Sequence, residues 1–155
     1  MPSDTGAIAL PSSIDHLGVV VKDIDKTIEF LSSMWGLGPW QSLEYSPHKD
    51  EIIVGEPFKI KIACAKLGPV VLELIQPLEG RSLWSQFLET KGEGLQHVAF
   101  NLSNWDEMVS KLRERGSKMV AGGVFGGKRW CYFDTKPGGI IVDFMDNFGF
   151  MEEEK

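Results

Sequence analysis

Leu95-Gln96-His97-Val98-Ala99-Phe100-Asn101-Leu102 is the stretch that decides the fold, because it repeats Ile14-Asp15-His16-Leu17-Gly18-Val19-Val20-Val21 from 81 residues earlier. The correspondence continues downstream: Asp25 falls on Asp106, Ile28 on Val109 and Leu31 on Leu112. Self-similarity at a fixed offset marks a duplicated structural unit, and each copy reads as a strand feeding a helix.

Further out, Lys66-Leu67-Gly68-Pro69-Val70-Val71-Leu72-Glu73-Leu74 recurs as Lys136-Pro137-Gly138-Gly139-Ile140-Ile141-Val142-Asp143-Phe144 at an offset of 70, so the second copy is 11 residues shorter than the first. Each half opens on a strand histidine and closes on a strand acid. Side chains alternate across a strand, so His16 opposes Leu17 and Val19, His97 opposes Val98 and Phe100, Glu73 opposes Leu72 and Leu74, and Asp143 opposes Val142 and Phe144. If the halves pack about a pseudo-twofold axis, two imidazoles and two carboxylates converge in one concavity. Such a set suits a divalent metal (Zn, Co, Mn, Ni or Fe), and ligand type alone does not choose among these. A lone strand histidine or acid is usually structural or solvated. Four at equivalent repeat positions are hard to obtain by accident.

Between these anchors, Asp23 is placed to cap a helix carrying Ile24, Ile28, Leu31 and Trp35, which Gly36 ends. Residues 40 to 57 read as a strand and a loop. Lys59 and Lys61 alternate with Ile60 and Ile62 in a half-exposed strand, and the Gly68-Pro69 turn leads into the acid-bearing strand. A short helix with Leu83, Trp84, Phe87 and Leu88 links the halves. In the second half Asn104 and Glu107 make a capping-box-like start and Gly116 a stop, with three strands following. The expected organisation is a flexible leader at 1–13, one domain at 14–146 (module 14–78, linker helix within 81–92, module 94–146) and a solvated tail at 147–155. The fold class is α+β, strand-helix-three strands twice over, with helices outside a cupped, antiparallel-rich sheet.

Composition bounds the partners. A net charge of -6, with no basic run interleaved with aromatics, argues against nucleic acid. No apolar run approaches a membrane span, and residues 1–13 lack the basic start and apolar centre of a signal peptide, so a cytoplasmic location is expected. Cys64 and Cys131 sit in apolar strand contexts and read as buried free thiols. The pairs Lys128-Arg129 and Lys59/Lys61 could set the field of one pocket for a small anion, although strand lysines more often face water.

The segments Ile14 to Asp23, Glu73-Leu74-Ile75-Gln76-Pro77-Leu78, Gly92 to Phe100 and Gly138 to Asp143 resemble the vicinal oxygen chelate superfamily, which includes glyoxalases, bleomycin-resistance proteins and dioxygenases. Within it they are most similar to the methylmalonyl-CoA epimerases. The resemblance covers about residues 14 to 146 and implies two βαβββ modules forming a metal-holding cup, with the metal at His16, Glu73, His97 and Asp143. It also implies a homodimer. The last ligand in those epimerases is typically Glu, so Asp143 is one methylene short, and their His-His pair is Gln96-His97 here. Their catalytic glutamate falls between the first helix and the Phe58 strand, where Glu44, Glu51 and Glu56 compete and Glu51 is preferred, with His48 as a further basic group.

The activity implied is that of an isomerase or lyase in which a divalent metal chelates an enolate of a small-molecule substrate, epimerase-like, with a glyoxalase I-like lyase as its neighbour. A ring-cleaving dioxygenase needs a 2-His-1-carboxylate iron site, which the two acids argue against. A metal-free binding protein of the bleomycin-resistance type is the reading from another class, and the inward polar residues argue against it. The aromatics Trp40, Tyr45, Trp130, Tyr132 and Phe133 could line the cleft, which would favour an aromatic or cyclic ligand over a CoA thioester.

Overall fold

The computed structural model describes residues 7–148. The outer parts of the expected leader and tail, residues 1–6 and 149–155, lie outside the described residues. In chain order the elements are β1 His16–Val20, α1 Ile24–Trp35, β2 Gln41–Tyr45, a 3₁₀ turn Lys49–Glu51, β3 Ile52–Val54, β4 Lys59–Leu67 and β5 Val70–Glu79. Then come α2 Leu83–Lys91, β6 Gly94–Leu102, α3 Trp105–Glu114, β7 Met119–Phe125, β8 Lys128–Thr135 and β9 Ile140–Asp146.

One sheet contains every strand of the described residues, in the order β2-β4-β5-β1-β6-β9-β8-β7-β3. The duplication is visible in that order. Each module runs outward from the centre as first strand, last strand, middle strand, second strand, and the two modules meet at the antiparallel β1–β6 junction. Within each module the first and last strands pair in parallel, β1 with β5 and β6 with β9, because a helix and further strands separate them in sequence.

Alternation along the central strands gives both faces something to bury. On the outer face Val19, Leu72 and Leu74 pack with Ile24, Ile28 and Leu31 of α1, and α3 packs Trp105, Met108 and Val109 with Phe100, Phe133 and Phe144. On the inner face Val20, Ile60, Ile62, Ile75, Trp130 and Tyr132 form a third cluster. The link helix α2 leans Trp84 into that inner cluster. Asp23 caps α1 by accepting from the Lys26 N–H, and Gly36 ends it at φ 68° in the left-handed region. Asn104 occupies the N-cap position of α3 without a side-chain capping bond, so the expected capping box is not formed.

The 11 extra residues of the first module have a definite place. Gly126 and Gly127 alone join β7 to β8, whereas residues 46–58 join β2 to β4. Leaving β2 at one edge of the sheet, that segment crosses to the other edge, where β3 pairs Ile52 with Gly123 and Val54 with Gly122. The expected loop therefore carries a 3₁₀ turn and a short strand. Glycine makes room for it: a Cβ on Gly123 would stand 2.9 Å from the Trp130 ring and 3.1 Å from the Glu51 carbonyl oxygen. Tyr45 ties the same edges together, its O–H donating to the Val124 carbonyl at 2.6 Å while the Trp130 indole N–H donates to its oxygen at 3.0 Å.

Candidate metal centre and its cavity

The register of the four central strands places the four polar side chains. Gly18 stands beside both Glu73 on β5 and His97 on β6. Two residues along the same inner face, Ala99 stands beside both His16 and Asp143. Each histidine thus reaches an acid across a residue with little or no side chain: His97 leans over Gly18 to Glu73, and His16 over Ala99 to Asp143. A Cβ on Gly18 would lie 1.9 Å from His97 Cε1. That position must be glycine for the ring to lie where it does.

The donor atoms come together. His16 Nε2 and His97 Nε2 are 3.2 Å apart. Glu73 Oε1 is 3.5 Å from the first and 3.3 Å from the second. Asp143 Oδ2 is 3.5 Å from His16 Nε2 and 3.9 Å from His97 Nε2, so the shorter acid stands a little back. Donors about 2.0–2.2 Å from a single ion stand roughly 2.9–3.5 Å apart at tetrahedral or octahedral angles. His16, Glu73 and His97 satisfy that spacing most closely and form a compact, buried ligand set.

The outer nitrogens decide which way the rings face. His16 Nδ1 lies 2.8 Å from the Asp15 carboxylate, which can only accept, so Nδ1 carries a proton. His97 Nδ1 lies 2.9 Å from Gln96 Oε1. The Gln96 amide is oriented by its own NH₂ group, which donates to the Leu83 carbonyl at 3.5 Å. With Nδ1 so engaged, each ring in its neutral form turns an Nε2 lone pair inward, the arrangement that hydrogen-bonding partners behind the ring impose on metal-binding histidines. Asp143 Oδ1 is buried and has no hydrogen-bond partner among the described residues, a costly state for a carboxylate oxygen that a cation would relieve. On these observations the residues fit a divalent metal.

The electrostatics show what the cage does with protons in the absence of an ion. Burial opposes charge on His16, but Glu73, Asp143 and Asp15 outweigh it and raise its pKa to about 10. Burial raises Glu73, yet the charge of His16 and contact with His97 hold it below the ordinary glutamate value. Asp143 is raised, first by burial and also by the charge of Glu73, against the pull of the histidines. Tyr132 is raised well above the ordinary phenol by burial, Asp143 and Glu73, although the Trp84 N–H near its oxygen works the other way. Two buried acids against one imidazolium leave the cage avid for positive charge.

Glu73 and Asp143 line a small cavity open to solvent, whose walls are largely apolar and aromatic, with Ile60, Ile62, Trp84, Trp130 and Tyr132 among them. Of the aromatics expected there, Tyr45, Trp130 and Tyr132 line the cavity; Trp40 packs with the α1 cluster and Phe133 with the α3 cluster. Three of the four cations singled out in the sequence, Lys59, Lys61 and Arg129, are engaged elsewhere. Lys59 pairs with Glu44 at 3.4 Å, Lys61 with Asp25 at 2.9 Å, and Arg129 with Asp106 and Asp146 at 2.6 and 2.8 Å. Glu51 sits on the crossing segment, where its carboxylate accepts from the His48 N–H at 3.0 Å; neither residue is among those lining the cavity. Among the described residues no helix is long and apolar enough to cross a membrane.

Residues 15–133 match the Glyoxalase/Bleomycin resistance protein/Dioxygenase superfamily. The chain belongs to that superfamily. It is 28% identical over 145 residues to the uncharacterized protein YqjC of Bacillus subtilis, covering 91% of this chain and 96% of that one. It is 27% identical over 156 residues to a 2-epi-5-epi-valiolone epimerase from Actinomyces, covering 91% and 80%. Among solved structures, methylmalonyl-CoA epimerase from Mycobacterium tuberculosis superposes with a TM-score of 0.70 at 24% identity, over 92% of each chain. The last comparison concerns the fold, and it agrees with the two-module cup.

Within this superfamily cup, the sequence reading missed the residues that set up the site. Asp15 and Gln96 immediately precede the two histidines, so a hydrogen-bonding residue at the same place in both repeats was a visible signal. Trp84 has no such signal, since an aromatic residue at helical spacing is ordinarily packing, whereas Tyr132 stands among the aromatics expected at the cleft.

Proposed function

We propose that this superfamily member is a divalent-metal-dependent isomerase or lyase, epimerase-like, that removes a proton from the carbon next to a carbonyl in a small substrate with two neighbouring oxygens. The observation that carries the reading is the inward convergence of His16, Glu73, His97 and Asp143, with both histidine Nδ1 atoms engaged behind them. A bound divalent cation would supply Lewis-acid polarisation of the two oxygens, which acidifies the neighbouring C–H. The remaining chemistry falls to the chain.

Asp15 and Gln96 hold the imidazoles in orientation. The apolar walls exclude water from the carbon that loses its proton and strengthen every charge interaction in the cage. Glu73, held ionised by the charge of His16 and contact with His97, is suited to accept that proton. Asp143, its counterpart in the other module, with one oxygen unengaged among the described residues and its pKa raised, is suited to return a proton to the opposite face, as inversion at carbon requires. Glu51, preferred from the sequence, remains a candidate base only if the crossing segment brings its carboxylate away from the His48 N–H and into the cavity. The epimerase from Actinomyces and the methylmalonyl-CoA epimerase described above are relatives whose named activity is epimerisation, which favours isomerisation. Homodimerisation belongs to the same proposal, and the apolar side chains that α1 exposes, Phe30, Met34 and Trp35, offer a surface for it.

The test is elemental analysis of protein purified without a His tag, beside His97→Ala. Near-stoichiometric divalent metal that disappears in the variant is the expected result, followed by solvent-deuterium exchange into acyl-CoA or 2-hydroxy-ketone substrates. Absence of metal from both, even after reconstitution, would sink the catalytic reading and leave a binding protein.

A further inference from the structure

The four donors obey the pseudo-twofold relation, but the walls beside them do not. Across the β4–β5 ladder Glu73 faces Cys64, and across the β8–β9 ladder Asp143 faces Tyr132. Two residues further along, the pair Ile62 and Ile75 occupies the place that Trp130 and Met145 occupy in the other module. One half of the cup is aliphatic beside its acid; the other is aromatic and carries a phenol. A cage of paired histidines and paired acids offers a chelating substrate two orientations, and only the walls can distinguish them.

Tyr132 is the polar group placed to do so. Its side chain is buried and lines the cavity, and among the described residues its hydroxyl is paired with His97 Nε2 at 3.3 Å. His97 Nε2 is one of the converging donors, with its lone pair turned inward. Were this lone pair given to a bound ion, the phenol would lose its acceptor, and the Tyr132 O–H would be free to donate to an oxygen seated beside it. Tyr45, the chain's other tyrosine, has no such freedom, because its O–H is committed to the Val124 carbonyl and its oxygen receives the Trp130 N–H. Trp84 packs against the Tyr132 ring with centroids 5.6 Å apart at 82°, which holds the phenol upright on the wall.

We infer that Tyr132 is a further catalytic residue, whose hydroxyl donates a hydrogen bond to the substrate oxygen on which negative charge collects as the C–H proton leaves, and which thereby fixes the substrate's orientation in the cage. The inference rests on the metal-dependent reading proposed above. A donor already positioned where charge develops, in a site that excludes water, stabilises that charge without reorganising. The same arrangement sends the alkyl part of the substrate toward Ile60, Ile62 and Ile75.

The test uses the full chain loaded with cobalt(II) and acetohydroxamate, a small chelator with two neighbouring oxygens. Tyr132→Phe should keep the cobalt content and visible spectrum of the parent while binding acetohydroxamate at least about tenfold more weakly, the expected loss of a hydrogen bond to a charged acceptor. In parallel, 3-fluorotyrosine labelling of the zinc-loaded parent gives two ¹⁹F signals, because the chain has two tyrosines. Tyr45→Phe assigns them, and acetohydroxamate should move the Tyr132 signal much more than the other. Equal acetohydroxamate affinity in Tyr132→Phe, or an unmoved Tyr132 signal, overturns the inference while leaving the metal reading intact. Loss of cobalt from Tyr132→Phe also overturns it, since the phenol would then serve metal retention. A parent chain that takes up neither metal defeats the proposed function, and the role of Tyr132 falls with it.

Discussion

Gly18→Ala tests the construction of the site without touching any of its donors. The added Cβ would stand 1.9 Å from His97 Cε1 and 2.3 Å from both Nδ1 and Nε2. Non-bonded carbon atoms settle about 3.5–4.0 Å apart, so the imidazole must retreat by roughly 1.5–2 Å. A movement of that size breaks the 2.9 Å contact of Nδ1 with Gln96 and takes Nε2 out of register with Glu73, now 3.3 Å away. Loss of the group that orients a metal-binding histidine typically lowers metal affinity about 10–100-fold. Here the proposed ligand itself is displaced as well, so at least about 100-fold is expected. Overpacking should cost the fold about 1–3 kcal/mol, which leaves a folded protein to measure.

The assay is competition for zinc against a chromophoric chelator, with far-ultraviolet circular dichroism as the check on folding. Ala99→Gly, at the equivalent position of the other module, is the control: it removes a methyl beside His16 and should leave the affinity within a few-fold. If Gly18→Ala is folded and binds zinc as tightly as the parent, the ring does not depend on that bare position and the account of the cage is wrong.

Three further outcomes follow from the same contacts. His16 titrates at 6.5 when unfolded and at about 10 in the folded metal-free protein, so its contribution to stability is complete below pH 6.5 and declines as pH rises through 10. Metal binding requires that proton to leave, so melting curves from pH 6.5 to 9 should show the gap between metal-loaded and metal-free Tm widening with pH; a constant gap would contradict it. Cys64 and Cys131 are buried and free, and burial raises both thiols, so iodoacetamide at pH 8 should label neither in the native protein and both after denaturation, counted by mass spectrometry. Tyr45→Phe removes a donor to Val124 and an acceptor for the Trp130 N–H, and should lower denaturant stability by about 1–3 kcal/mol and speed protease cleavage within residues 46–58.

What the sequence made legible was whatever the duplication repeats. His16 and His97, and Glu73 and Asp143, stand at matched positions of two strand patterns, and strand alternation alone sends all four to the inner face. The features peculiar to one copy were harder. The crossing segment has no counterpart in the second module, so nothing in the pattern showed that β3 would leave its own module and pair with Gly122 and Gly123. Asn104 looked like a cap by residue type, but the capping bond depends on a local geometry that spacing does not specify. Glu51 stands between the first helix and the Phe58 strand, and position along the chain does not say which way a carboxylate points.

The 11-residue difference between the modules is where the two copies stop being interchangeable. A perfectly duplicated cup would present an unpaired edge on β2 and another on β7, and would treat both ends of a chelated substrate alike. Sending residues 46–58 across the molecule covers the β7 edge with β3 and brings Tyr45 to the Trp130 wall. That wall also holds Tyr132, so the segment that closes the sheet edge reinforces the aromatic half of the cavity and leaves the aliphatic half unchanged. Duplication accounts for the symmetric cage, and the inserted crossing, together with the replacement of Cys64 by Tyr132 at the matched position, accounts for its handedness. Shortening the crossing should therefore disturb the orientation of a substrate before it disturbs the binding of an ion, because no donor of the cage lies on it.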